Sequence, residues 1–173
     1  MRHKITHILH LLENVIIILI TGLVPVYFAL YLATNDVFEL NKLVLFRSLV
    51  LAWLIIVLAK GFLEMRGKGP AGSGRIEFFN RYLFAPLAFL AVLAAATWAS
   101  LDPATAFFGA YTKYEGLESY LYYLVFFGLV VFNLHSLARV KLALGGLVAG
   151  SFLVSGYGLA QALGLDPLNW SES

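Results

Sequence analysis

Two segments of this chain combine polar and aromatic residues in a way that could support chemistry. The first is Phe107-Phe108-Gly109-Ala110-Tyr111-Thr112-Lys113-Tyr114-Glu115-Gly116-Leu117, which holds four aromatic rings, one cation and one carboxylate just before a long apolar run. One reading is an aromatic belt, because tyrosine favours the water–lipid boundary, and Lys113 and Glu115 are then ordinary interfacial residues. The sharper reading is a headgroup site. Aromatic faces stack on sugar rings, and a lysine at that depth pairs with a lipid-borne phosphate. The second segment runs from Gly156 to Trp170 and includes Tyr157, Gln161, Asp166, Pro167 and Asn169. It reads as a helix end with a proline stop and a tryptophan anchor, in which the Gln161 amide needs a partner.

The other polar residues are spread along the chain. Arg47 falls one turn inside an apolar run, where it either snorkels to the surface or faces a bundle and binds phosphate. His3, His7 and His10 lie near one helical face with Glu13 as the nearest carboxylate, a set better suited to an interfacial amphipathic start than to a metal site. Glu13, Lys60 and His135 sit close enough to run ends to read as interfacial. No metal and no cofactor is expected.

These residues must be positioned by helices. The apolar runs Leu11–Ala33, Leu43–Leu63, Leu83–Leu101, Leu117–Leu134 and Leu142–Leu163 are apolar at nearly every position, without the alternation of a barrel strand. At about 1.5 Å rise per residue, roughly 20 residues cross a hydrocarbon core of about 30 Å. Thr34-Asn35-Asp36 breaks the first run, and a Gly-rich basic linker from Arg66 to Arg75 follows the second. Asp102-Pro103 stops the third, and Gly164 ends the fifth. Pro25 predicts a kink in the first helix, and Pro86 is expected in the first turns of the third. Gly146 and Gly150 have GxxxG spacing, and Ala91, Ala95 and Ala99 repeat the interval. Both are expected as packing faces inside a bundle.

Composition places the whole in a membrane. Of 173 residues 61% are hydrophobic and 13% charged, with a mean hydropathy of +0.84, too little polar surface to coat a water-soluble globule. Arg2, Lys4, Lys60, Arg66, Lys68, Arg75, Arg81, Arg139 and Lys141 fall on one side of the five runs, and only Lys42, Arg47 and Lys113 on the other. That asymmetry predicts an all-α polytopic transmembrane bundle of about five helices, with the N-terminus inside and the C-terminus outside. The basic residues are not concentrated into the face that nucleic acid requires. The chain has no cysteine, which excludes disulfides and thiolate chemistry.

Phe108-Gly109-Ala110-Tyr111-Thr112-Lys113-Tyr114-Glu115-Gly116-Leu117, taken with Tyr157-Gly158-Leu159-Ala160-Gln161 and Leu165-Asp166-Pro167-Leu168-Asn169-Trp170, resembles the bacterial O-antigen ligase family. The resemblance covers about residues 100–170. It implies a multi-pass glycosyltransferase of the bacterial inner membrane that moves a glycan from a polyprenyl diphosphate carrier at the outer face. Membrane lipid and the carrier-linked glycan are then the partners. The substrate-binding candidates are Lys113, toward the diphosphate, Tyr111 and Tyr114 framing the headgroup, Glu115 orienting Lys113, and Arg47. Lys113 stands where many relatives have arginine, and Ala110 where serine is common. The family's length implies that 1–173 is the N-terminal part of a longer protein, with the catalytic residues beyond Ser173. The rival reading is a non-enzymatic small membrane protein or part of a transporter.

Overall fold

The computed structural model describes residues 2–27, 39–65, 74–110 and 113–165, and those residues form helices with no strand among them. Helix α1 covers Arg2–Ile18 and passes through a π-helical turn, Leu19–Leu23, into the short α2, Val24–Val26. Then come α3 (Glu39–Met65), α4 (Gly74–Trp98), the short α5 (Pro103–Phe108), α6 (Leu117–Asn133) and α7 (Leu137–Ala162). Three stretches, Lys4–Val26, Leu40–Leu63 and Leu137–Ala162, are long and apolar enough to cross a membrane, as in a membrane protein. Tyr82–Trp98 and Leu117–Asn133 are apolar but shorter. Long helices successive along the chain alternate in direction, so α3 and α6 run parallel, as do α1 and α7. Glu13 of α1 meets Lys60 near the end of α3, whereas Arg47 of α3 meets Glu118 at the start of α6.

Trp53 anchors the core. It is 1% exposed, packs among Ile16, Ile17, Ile20, Val50 and Leu129, and meets Phe126 edge-on at 6.3 Å between ring centroids. Most other large apolar side chains are exposed, as expected of a surface that faces lipid rather than water. In such a setting lipid is as apolar as leucine, so close packing rather than water exclusion holds helices together. Here the close packing is glycine on glycine. A Cβ at Gly150 would come within 2.8 Å of the Gly22 carbonyl oxygen, and one at Gly146 would overlap the Thr21 hydroxyl. The expected Gly146/Gly150 face is thus real, and its partner is the π turn.

That turn has identifiable causes. Pro25 has no N–H for the Thr21 carbonyl and its ring crowds that oxygen. The Thr21 hydroxyl donates to the Ile17 carbonyl at 2.7 Å, a back-bond that also bends helices. The expected irregularity at Pro25 therefore appears just before the proline, as a wider turn.

Several sequence expectations are corrected. Helix α4 begins at Gly74, not Leu83, so Pro86 lies in the helix interior rather than its first turns. Ala91, Ala95 and Ala99 are exposed and form no packing face among the described residues. Helix α1 begins at Arg2 rather than Leu11. The end of α7 follows expectation: Gly164 has φ 72°, its N–H donates to the Gln161 carbonyl at 3.0 Å, and the Leu165 N–H donates to Ala160 at 2.9 Å. This is the Schellman arrangement that a glycine after the last turn permits. The Thr34–Asp36 break, most of the 66–75 linker and the Asp166–Trp170 segment lie outside the described residues.

Candidate functional site

The segment around Lys113 is built by local rules. Asp102 caps α5, accepting from the Thr105 hydroxyl at 2.6 Å and the Thr105 N–H at 3.2 Å. The Thr105 hydroxyl, then its N–H, hold the Asp102 carboxyl below its ordinary value. After α5 the chain reverses at Gly109, whose φ of 91° suits glycine and whose missing Cβ leaves room for the Glu115 N–H. The Ala110 carbonyl accepts from the N–H groups of Lys113 (3.0 Å) and Tyr114 (2.9 Å). Tyr114 takes φ 51°, uncommon for a residue with a bulky side chain. Gly116 then packs directly on the Phe107 carbonyl and the Gly109 N–H, where any side chain would overlap backbone.

A chain of contacts ties this loop to α3. The Ser119 hydroxyl donates to the Tyr114 carbonyl at 2.5 Å and accepts from Arg47 Nη2 at 2.8 Å. Arg47 Nη1 pairs with Glu118 at 3.0 Å, and its guanidinium carbon lies 5.2 Å from the Tyr122 ring centroid. The Arg47 side chain points into α6 and does not snorkel to the surface, and its partners are Ser119, Glu118 and the Tyr122 ring. It contacts the loop's supports rather than an open cavity.

The loop and the first turns of α3 enclose a groove of about 310 Å³ lined by Lys42, Phe46, Lys113, Tyr114, Glu115 and Tyr123, among others. The structure therefore brings together three of the five candidates, Lys113, Tyr114 and Glu115. Tyr111 lies outside the described residues, and Arg47 stands behind the wall. Lys113 and Glu115 share the groove without forming an ion pair with each other. Lys42 is an addition. In sequence it was only one of three basic residues on the sparse side, and its distance from Lys113 along the chain hid the pairing. Chemically the groove offers two ammonium groups, one carboxylate and aromatic walls, a set suited to a phosphate carried on an amphiphile. No residue of 156–165 lines it, so the two segments of the resemblance do not meet there.

A second charged cluster occupies the opposite end of the bundle. Glu13 is fully buried. Lys60 Nζ donates to both of its carboxylate oxygens at 2.8 Å, and Arg139 Nη2 donates to Oε2 at 2.9 Å. Arg139 Nη1 also donates to the Asn133 carbonyl at 3.0 Å. His10 Nδ1 lies 2.6 Å from Arg139 Nη2 and 3.3 Å from Lys60 Nζ. The same nitrogen lies 3.4 Å from Glu13 Oε2, so the His10 ring closes the cluster over all three charged groups. Glu13 and Lys60 were expected to be unremarkable interfacial residues, but they join α1, α3 and α7. The available signal was a lone carboxylate inside an apolar run, which needs a named partner.

Comparison of the chain with family models, curated proteins and solved structures gives no match.

Proposed function

We propose that this chain belongs to an O-antigen-ligase-like glycosyltransferase and forms its site for a polyprenyl diphosphate carrier at the outer face of the bacterial inner membrane. In this reading five helices span the bilayer, with the N-terminus cytoplasmic and the C-terminus outside. The alternating helix directions and the uneven distribution of basic residues support that topology. The carrying observation is the groove that unites Lys42 and Lys113 with Tyr114 and Glu115 at the end of the bundle that holds Arg47.

The chemistry that the groove would serve is charge compensation. When an acceptor hydroxyl attacks the anomeric carbon, a new glycosidic C–O bond forms, the C–O bond to the carrier breaks, the diphosphate leaves with the electron pair, and the hydroxyl proton is released to water. Two ammonium groups beside it offset the charge that develops. Tyr114 and Tyr123 supply faces for a sugar or prenyl unit, and Glu115 keeps the groove from being purely cationic.

The test uses purified protein in detergent with a short-chain polyprenyl diphosphate, and the matching polyprenol as control. The diphosphate should bind and the polyprenol should bind much more weakly. Lys113→Ala and Lys42→Ala should each cost about 1–3 kcal/mol of binding, the range for charge-assisted contacts. Lys113→Arg should keep or improve affinity, because a guanidinium adds a bidentate fork. Equal affinity for both lipids, or an unaffected Lys113→Ala variant, rejects this reading.

A further inference from the structure

The cluster around Glu13 contains more positive charge than it can neutralise within itself. Lys60 and Arg139 contribute two positive charges against the single Glu13 carboxylate, leaving one uncompensated among the described residues. Neither cation is sealed off: the Lys60 side chain is 12% exposed, Arg139 is 17% exposed and His10 is 49% exposed. Lys4 and Lys141 add exposed cations near the same end. The neighbouring surface matters as much as the charge. Helix α1 continues N-terminal of Glu13 for about two more turns within the span Lys4–Val26, with Ile5, Ile8, Leu12 and Val15 forming an exposed apolar stripe at helical spacing. The stripe extends past the cluster toward the N-terminus, so a lipid chain lying along it would carry its headgroup beside these charges. The groove site is far away, since Lys42 and Lys60 are separated by 18 residues of α3, roughly 27 Å of helix rise.

We propose that this end of the bundle binds an anionic phospholipid of the adjoining leaflet. Its phosphate is the counter-ion of the Lys60–Arg139–His10 face, and its acyl chains lie along the Ile5–Ile8–Leu12–Val15 stripe. Basic residues clustered between helices attract anionic headgroups, and the half-exposed His10 ring lies beside the two cations where a phosphate would sit.

The experiment is native mass spectrometry of the protein exchanged into mixed micelles holding equal amounts of phosphatidylglycerol and phosphatidylcholine with identical chains. Wild type should retain phosphatidylglycerol preferentially, and the preference should fall as salt is raised. Lys60→Met removes one of the two cations on Glu13 and should reduce the preference about fivefold, which corresponds to ~1 kcal/mol per basic residue near an anionic headgroup. Glu13→Gln raises the net charge and should increase retention, opposite to the loss expected of a purely structural carboxylate. If either variant fails to fold, the wild-type ratio and its salt dependence decide. Equal retention of the two lipids, an unchanged ratio in folded Lys60→Met, or stabilisation by inorganic phosphate without lipid preference would overturn the proposal. Carrier binding at the distant groove should be untouched by Lys60→Met, so the two sites fail independently.

Discussion

At the scale of single residues, Arg47 shows how identity and location leave a role open. An arginine one turn inside an apolar run has to find hydrogen-bond partners or reach water. Here it finds Glu118, Ser119 and the face of Tyr122, and through Ser119 it holds the Tyr114 carbonyl of the loop that carries Lys113. Arg47 is thus a positioning residue. Arg47→Lys keeps the charge but replaces a planar fork with a single ammonium that cannot serve Glu118 and Ser119 in the same geometry. Ser119→Ala removes the link to Tyr114 directly. Both variants should loosen the loop by about 1–2 kcal/mol, within the range for buried and charge-assisted hydrogen bonds. The measurement is the rate of tryptic cleavage after Lys113 in the native protein, which should rise severalfold in each. A rate equal to wild type in both would mean that Gly109 and Gly116 suffice to hold the loop.

At the scale of elements, one contact sets how the first helix and α7 are rotated against each other. Gly22 faces Gly146 and Gly150, and the irregular turn between Leu19 and Leu23 is the surface they meet. Gly150→Leu should lower stability by about 1–3 kcal/mol, because the added side chain meets the Gly22 backbone rather than a flexible side chain. Gly145, one position before Gly146 on the same helix, has open space at its Cβ, so Gly145→Ala should be neutral or slightly stabilising. Thermal unfolding in detergent compares the two. Identical melting behaviour would show that the Gly150 face is not packed. Pro86 belongs to the same scale. Runs of apolar residues locate a helix's middle well and its ends poorly, because amphipathic turns such as Gly74–Arg81 carry no unbroken hydropathy signal.

At the scale of the whole molecule, the two charged sites lie at opposite ends of an apolar bundle. The groove with Lys42 and Lys113 marks one end, and Glu13, Lys60 and Arg139 mark the other. The proposed topology puts the second end in the cytoplasm. A reporter fused after Lys68 should then behave as cytoplasmic and one fused after Trp170 as external, read by paired reporters active on opposite sides of the membrane. An external signal from the Lys68 fusion would refute the inside-to-outside arrangement of five spans.

Hydropathy and charge order, both one-dimensional, already determined that the chain is helical and apolar enough for a membrane. They also marked which helix ends are basic and where α7 stops, since Gly164 permits the conformation its final turn needs. They also singled out Lys113, Tyr114 and Glu115 as neighbours, because those residues share one loop. What they could not carry is the rotation of each helix about its own axis. An apolar run specifies depth along the membrane normal but is nearly uniform around its circumference, so no face is marked as the inner one. Tertiary packing decided the faces. The close approach of Gly22 to Gly146 and Gly150 orients α7 against the first helix. Trp53 and Phe126 orient α3 against α6. Only with those rotations in place does Glu13 meet Lys60 and Arg139, 47 and 126 residues away, and does Lys42 come to face Lys113 across one groove.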